Sequence, residues 1–596
     1  MPIWKEGDLN DEQTAAIEED DSVFLVACPG SGKTRTLTYK IAHELSKSES
    51  TKKWVVAITY THRAADEIQN RIERLGIDTS QLWIGTIHSF CLEWILKPYA
   101  LYHDALKNGF RVINSFDSEK QITGLCQNLT TSSVRYWDCG FHFTTTERVL
   151  SGKPRLWSDV NTILDQYYEI LRLNKQIDFE LILKYTYDLI RKNPSINKIL
   201  SSLFTHILID EYQDTKEIQY AIVSAILRSG EERVKAFVVG DPNQSIYESL
   251  GGCAITANDF SELAQINFIE MELSRNYRSS SRIIDYFSHY NAYNTRIEPA
   301  GKFADFPSTI TFDAQVDKGD LLTPLTRIIT HSIEEEGISP NEICILAPQW
   351  AYLASMTRSL VGALPNYSFD GPGMVPFTRD IDNFWYKLSR IILTEPSPSM
   401  YIRRLRWARE ILLALNDANV DIGSLTNKSL LRECNAIDLA EQDGLTYLEQ
   451  FFNELFNNIN IDFRSIPSLV EHHTDFFSSS QDRIERLQEK EATFISDIAS
   501  FRKVFENRSG ITVSTIHGIK GEEYDVVIAY ALLEGMVPFF GESEQSAKKS
   551  LYVVGSRARK HLHLISERGR MYGRGHGRTE YPPTAILNQC NFNYNA

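Results

Sequence analysis

Short apolar runs alternate with amphipathic stretches along this chain, and the runs fall into two sets. The first comprises Val23–Cys28, Trp54–Tyr60, Leu82–Thr86, His206–Asp210 and Ala236–Gly240. The second comprises Ile343–Ala347, Ile511–Thr515, Asp525–Ala531 and His561–Ile565. Such runs separated by helical stretches predict an α/β fold with parallel sheets, and two sets predict two sheets. Between them, residues 97–178 and 397–507 are rich in Leu, Phe, Asn, Glu and Gln at helical spacing, as in "LTYLEQFFNELFNNI". Both are predicted to be helical insertions, the second announced by "EPSPS" at Glu395–Ser399. One core domain is then expected over 1–96 and 179–272, the other over 273–396 and 508–596. The Gly/Arg-rich "ERGRMYGRGHGR", Glu567–Arg578, predicts a flexible tail segment.

Composition narrows the class. A chain of 596 residues with 42% hydrophobic and 23% charged content has apolar material for several globular domains. No apolar run approaches the roughly 18 residues of a membrane span. The N-terminal "MPIWKEGDLNDEQ" has no apolar signal segment, so a cytoplasmic protein without a membrane partner is expected. The eight cysteines are scattered, with no C-x-x-C pair, which argues for a reducing compartment and against a zinc or iron–sulfur site. The net charge of −16 counts against a wholly basic nucleic-acid coat but leaves a locally lined groove possible. One local excess of positive charge exists: Lys548 to Arg578 holds nine Lys/Arg and one Glu.

Candidate chemistry begins at "LVACPGSGKTRT". A strand ending at Ala27 meets Cys28, Pro29, Gly30, Ser31, Gly32, Lys33, Thr34 and Arg35, and then a helix. The glycines let backbone N–H groups face a phosphate. Lys33 brings charge to the β- and γ-phosphates, and Thr34 offers a hydroxyl to Mg²⁺. The strict pattern has Gly where Ala27 stands. In "HILIDEYQDT", Asp210 and Glu211 follow a strand end, where α/β sites form. Asp210 is suited to hold Mg²⁺, directly or through water, and Glu211 to deprotonate an attacking water. Alone, this pair would read as a solvated acidic turn. Gln244 of "VVGDPNQSIYESLGG" follows a third strand end. It reads as a γ-phosphate sensor, or as a capping side chain in the turn.

With these pieces in order, the chain resembles the superfamily 1 helicases of the UvrD/Rep/PcrA type. "LNDEQTAAI", "ACPGSGKTRT", "AITYTHRAADEIQNRI", "WIGTIHSF", "DFELI", "IDEYQDT", "VVGDPNQSIY", "ELSRNYRSS", "VSTIHGIKGEEYDVVI" and "YVVGSRARKHL" follow in that family's order. The resemblance implies two RecA-like P-loop NTPase cores, each interrupted by an insertion, with ATP bound between them. It implies that Gln13 reads adenine, Tyr277 stacks on it, Glu523 meets the ribose, and Arg278 and Arg557 reach the phosphates. Catalysis would then rest on Lys33, Asp210, Glu211, Gln244, Arg278 and Arg557. Thr59, Tyr60, Thr61, Thr86, His88, Tyr247, Thr515 and His517 would face a DNA strand. His88 and His517 read equally as core histidines.

Three departures stand out. Ser249 occupies the place of a base-stacking Trp, "PQW" (Pro348–Trp350) replaces an arginine-containing loop, and the second insertion looks short. The resemblance implies a DNA-dependent ATPase moving 3′→5′ on single-stranded or tailed double-stranded DNA, in repair or antiphage defence. Reduced UvrD-like proteins such as GajB of the Gabija system work beside a separate nuclease. The alternative is a DNA-end- or nucleotide-sensing ATPase that switches such a partner with little unwinding.

Overall fold

The computed structural model describes residues 3–48, 50–128, 134–371, 376–377, 380, 383–398, 400–488, 496–505, 509–572 and 578–595. Ser399, the expected boundary at 507/508 and residues 573–577 of the Gly/Arg-rich segment lie outside them. The chain forms two compact units, residues 1–316 with 519–596, and residues 317–518. Two six-stranded parallel sheets confirm the α/β class.

The first sheet lies wholly in the first unit. Its strands are β1 (Val23–Ala27), β2 (Trp54–Thr59), β3 (Leu82–Thr86), β4 (Phe204–Asp210), β5 (Lys235–Gly240) and β6 (Ile269–Leu273), in the order β6-β1-β5-β4-β2-β3. All pairs are parallel, with Val26 opposite Gly240 and Asp210 opposite Val239. The loops after β1, β5, β4, β2 and β3 therefore leave from one edge, in that order across the sheet. That edge is where α/β sheets build sites.

Burial explains the continuous apolar runs. Leu25, Val55, Ala57, Leu208, Phe237 and Val239 pack with Leu37, Ile41, Ile68 and Ile72 on one face. Their neighbours Phe24, Val56, Ile58, Ile207, Ile209 and Val238 enter a second core on the other face. Both faces are covered, so side chains of either parity must be apolar.

The first insertion is not purely helical. Helices Ser115–Asn128 and Trp157–Leu173 share it with a parallel pair, Arg111–Val112 and Gln176–Ile177, and a hairpin, Phe141–Phe143 with Arg148–Leu150. The alternation Phe-His-Phe has the two-residue period of a strand. Val160, Ile163, Leu164 and Tyr167 join the same core as β2 and β4, so this insertion is welded to the sheet.

The remaining strands of the two sheets fall in sets within each unit. The first unit supplies β7 (Ile310–Asp313), β11 (Tyr524–Ala529) and β12 (Ala558–Ile565), with β12 between the other two. The second supplies β8 (Ile343–Ala347), β9 (Phe369–Asp370) and β10 (Ile511–Thr515), with β10 central. The compact units thus differ from the expected cores: residues 273–316 and 519–596 fall in the same compact unit as the first sheet.

The tail is also more ordered than its composition suggests. Glu567 is fully buried, accepts from Ala531 N at 2.8 Å and pairs with Arg570. Met571–Tyr572 then pairs antiparallel with Thr579–Glu580. This corrects the expectation of a flexible segment for its described residues: a buried carboxylate anchors its start.

Within the second unit, helices Tyr401–Asp417, Asn427–Ala436, Gly444–Asn458, Pro467–Gln488 and Ile498–Lys503 surround a separate aromatic core. That core also includes Phe377 and the helix Phe384–Ile392, ahead of the expected start at 397. Trp385 is its centre. Its ring lies 4.6 Å from that of Phe452 and 4.7 Å from Phe463, and its Nε1 donates to Leu469 O at 2.9 Å. Trp385→Ala removes a ring from a packed site and orphans a carbonyl, so it should destabilise this helical cluster by about 3–5 kcal/mol. Denaturant unfolding followed by circular dichroism measures this; an unchanged midpoint contradicts Trp385 as the cluster's keystone.

Candidate functional site

The turn after β1 is shaped by two glycines. Gly30 and Gly32 take φ of +67° and +83°. A Cβ on Gly30 would lie 2.6 Å from that of Arg278, and one on Gly32 2.6 Å from Gln13 Nε2. Conformation and space both demand glycine here. The turn's carbonyls are tied by surrounding groups. Gln13 Nε2 donates to Ser31 O at 2.8 Å, Asn276 Nδ2 to Pro29 O at 2.8 Å, Tyr277 N to Gly30 O at 3.0 Å and Ser31 Oγ to Cys28 O at 2.7 Å. Helix α2 (Lys33–Lys47) starts directly after Gly32, so Lys33, Thr34 and Arg35 form its first turn. A helix start presents unpaired N–H groups and a positive dipole end, which suits an anion. Burial, with the Asp241 charge, pushes the Cys28 thiol up to about 12, so it stays protonated.

Gln13 sits in helix α1 (Asp11–Glu18), N-capped by Asn10. Its Oε1 accepts from Asn10 N at 3.0 Å, so both ends of its amide are engaged within the chain. Asn10 Nδ2 donates to the hydroxyl of Tyr277 at 2.8 Å, which joins α1 to an exposed ring. Arg35 is exposed and faces Asp8 at 3.6 Å.

The acid pair ends β4. Asp210 is buried, and its Oδ1 accepts from Glu211 N at 3.1 Å. Glu211 has φ +54°, a left-handed conformation uncommon for a side chain of this kind and typical of strained functional turns. Gln213 Nε2 bonds Glu211 while Gln213 Oε1 accepts from Asp241 N at 3.0 Å. Burial and then the Glu211 charge raise the Asp210 pKa. Burial pulls Glu211 the same way, but Lys33 and other neighbouring cations outweigh it and leave Glu211 below the ordinary range. Glu211 is therefore the ionised member, the state a general base requires.

Mg²⁺ fits the residues present. A buried carboxylate with a raised pKa is relieved by a cation, and Mg²⁺ commonly takes one or two carboxylates plus substrate phosphates. Asp210 and Thr34 are the side chains suited to hold it, and bound there it would neutralise phosphate charge. Among the described residues no cluster of three His, Cys, Asp or Glu offers a self-sufficient metal cage.

The turn after β5 joins this site to the arginines. Gln244 Nε2 donates to Asp241 Oδ2 at 2.7 Å, and Arg557 Nη2 donates to Gln244 Oε1 at 2.5 Å. Arg557 is buried, and burial followed by the charge of Arg278 lowers its pKa to about 9, still cationic at neutral pH. Arg278 Nε pairs with Glu523 Oε2 at 2.6 Å, and its Nη1 donates to Ser556 O at 2.8 Å. Arg278 is thus brought against the glycine turn with Glu523 paired to it, while Arg557 is held at the turn after β5. Gln213, Asp241 and Asn276 are the positioning residues that sequence reasoning missed. Each lay inside a quoted motif, but its role emerges only from its hydrogen bonds.

The residues expected to face a strand divide by environment. Tyr60 is exposed and stacks on Tyr247, with ring centroids 5.2 Å apart and planes inclined by 29°. Thr61 caps α3 (His62–Arg74), accepting from Ala64 N at 3.2 Å. Thr59 and Thr86 are buried. Thr59 Oγ1 donates to Thr61 O at 3.0 Å, and Thr86 Oγ1 accepts from Ser89 N at 3.3 Å, so both hydroxyls shape turns. His88 packs edge-on against Phe179 at 5.4 Å, and burial lowers its pKa to about 3. It is a neutral packed histidine, not a cation. In the second unit His517 is exposed, and Thr515 Oγ1 accepts from Gly518 N at 3.0 Å. Ser249 is exposed in a short turn, Glu248–Leu250.

Sequence comparison finds two matching family models and several relatives. The UvrD/REP helicase N-terminal domain matches residues 9–264, and the UvrD-like helicase C-terminal domain matches residues 492–569. The ATP-dependent DNA helicase PcrA of Staphylococcus epidermidis is 24% identical over 628 aligned positions, covering 95% of this chain and 84% of the relative. PcrA of Staphylococcus aureus is 24% identical over 625, with the same coverage. No helix among the described residues is long and apolar enough to cross a membrane.

Glu211→Gln keeps the side chain's shape and removes its basicity. ATP binding should persist while turnover falls about 10²–10⁴-fold. Nucleotide-binding and ATPase assays on one preparation check this; normal turnover would move the base to another residue.

Proposed function

We propose that this chain, which belongs to the UvrD-like ATP-dependent DNA helicases, moves 3′→5′ along single-stranded DNA by cycling ATP between the glycine turn and its two arginines. Mg²⁺ would be held by Asp210 and Thr34. Lys33, Arg278 and Arg557 would meet the phosphates and Glu211 the attacking water. Gln13 and Tyr277 would meet adenine and Glu523 the ribose. Gln13, Gln244 and Glu523 would exchange their present partners for the nucleotide. Tyr60, Tyr247, Thr61, Thr515 and His517 would contact the strand, Thr59 and Thr86 would shape its path, and His88 would support it by packing. The observation that carries this reading is the single turn that holds Gln244 against Arg557 and, three residues on, Tyr247 against Tyr60. One segment touches both the proposed nucleotide machinery and an aromatic pair with one exposed ring.

The biological setting we propose is DNA repair or antiphage defence, in the latter case beside a separate nuclease. A second reading, a sensor that switches such a nuclease with little unwinding, is favoured by the exposed serine at 249. A base-stacking aromatic contributes about 1–3 kcal/mol per base, and serine has no π-face.

Two outcomes test these readings. ATP turnover should rise with single-stranded DNA, and DNA affinity should fall with salt despite the acidic net charge, because bound phosphates release counterions. A flat response in both assays contradicts the DNA-motor reading. Ser249→Trp should tighten strand binding and increase unwinding of a 3′-tailed duplex per ATP consumed. If the wild type already unwinds long duplexes efficiently, the sensor reading loses its support.

A further inference from the structure

Cys126 and Cys139 take no part in the site described above, yet their sulfurs meet. The two Sγ atoms lie 3.8 Å apart, 13 positions along the chain, and both thiols are free. Cys126 belongs to the last turn of the helix Ser115–Asn128, and Cys139 directly follows the short turn Tyr136–Asp138. Both enter the core that holds Ile122 and Val134, with 7% and 3% of their surface exposed. A disulfide sets its sulfurs about 2.05 Å apart, so rotation of the two side chains has about 1.8 Å to close.

The surroundings decide which sulfur reacts first, because the thiolate is the nucleophile. Burial and then the Cys126 charge push the Cys139 thiol up to about 12. Burial raises Cys126 as well, but the hydrogen bond from Cys139 opposes that rise. Cys126 is therefore the sulfur that ionises, and Cys139 is the proton donor beside it. With hydrogen peroxide as the two-electron oxidant, the Cys126 thiolate attacks one peroxide oxygen. An S–O bond forms, the O–O bond breaks, and the departing hydroxide takes up a proton as water. Cys139 Sγ then attacks the sulfenic sulfur of Cys126. The S–S bond forms, the S–O bond breaks, and the oxygen leaves with the Cys139 proton as a second water. Two thiols and one peroxide thus give one disulfide and two waters.

We propose that Cys126 and Cys139 are a peroxide-oxidisable pair, whose reversible disulfide staples the turn Tyr136–Asp138 to the helix Ser115–Asn128 within the first insertion. The staple would fix the exposed Arg135, Tyr136 and Trp137 to that helix. In a reducing compartment such a bond forms transiently and is reversed by thiols.

The experiment treats the reduced, folded full-length chain with hydrogen peroxide. Products are followed by intact mass, thiol counting in denaturant and non-reducing peptide mapping. The chain should lose two hydrogens, its thiol count should fall by two from the eight of the reduced protein, and one peptide pair should carry the Cys126–Cys139 bond. Dithiothreitol should restore all eight. The rate should rise about tenfold per pH unit over about pH 7 to 8.5, as the thiolate fraction of a raised thiol does. Trypsin cleavage after Arg135 should slow by about tenfold on oxidation and recover on reduction, because cleavage needs a local opening that the bond restrains. Cys126→Ser and Cys139→Ser should each abolish the loss of two hydrogens; if either fails to fold, mapping of the wild type carries the test. Oxygen addition without this bond overturns the proposal, and so does oxidation confined to the exposed Cys253. A bond that forms only in denaturant, or between two molecules, overturns it as well. An unchanged rate of cleavage after Arg135 in the cross-linked chain overturns the staple.

Discussion

Arg557 is a guanidinium sealed from water, and the candidate site is organised around the cost of keeping it there. A buried charge without partners is penalised by several kcal/mol, so its surroundings must supply oxygen acceptors. They do so through Gln244 Oε1, with weaker bonds to Glu522 O and Val553 O at 3.3 Å each. Gln244 in turn is held by Asp241, and Asp241 N by Gln213. The chain of bonds ends at Glu211. A single buried cation thus fixes the turn after β5, the turn after β4 and the orientation of the candidate base.

This constraint accounts for how the chain partitions. By strand pattern, residues 273–316 and 519–596 belong with the second sheet. In the folded protein their strands do lie in that sheet, yet both segments fall in the same compact unit as the first sheet, where Arg278 and Asn276 engage the glycine turn and Arg557 engages Gln244. The covering of Gly30 by Arg278 shows how close that approach is: no side chain larger than hydrogen fits. The candidate site is assembled in a form in which its polar groups satisfy one another. Glu523 pairs with Arg278, and Gln13 with Asn10 and Ser31. An incoming nucleotide would replace these bonds rather than fill open valences, so its binding energy is offset by bonds already made.

On the strand side the design is thinner. Tyr60 and Tyr247 are a stacked pair with one exposed ring, while Ser249 presents a hydroxyl to solvent. Thr59 and Thr86 spend their hydroxyls on turns, and His88 is neutral. Affinity for a nucleic acid in the first unit would therefore lean on stacking and on helix starts more than on a row of side-chain contacts.

Nine strands were legible in the sequence because parallel strands buried on both faces must be apolar at every position. Three were not. Ile269–Leu273 reads "IEMEL" because it is an edge strand with mostly exposed side chains, Ile310–Asp313 is half exposed, and Phe369–Asp370 is only two residues long. The candidate site was legible for a similar reason: phosphate chemistry favours glycine, lysine and carboxylate types at fixed spacings, and those residues are the ones the fold brings together. The bond of Gln213 to Asp241, 28 residues on, that of Asn276 to Pro29, 247 residues back, and the choice between a packed and an exposed histidine at 88 and 517 depended on segments that only the fold brings together. Residue type and local spacing state what a side chain is able to do. Which partner it meets is decided by packing, and that exists only once the sheets have formed.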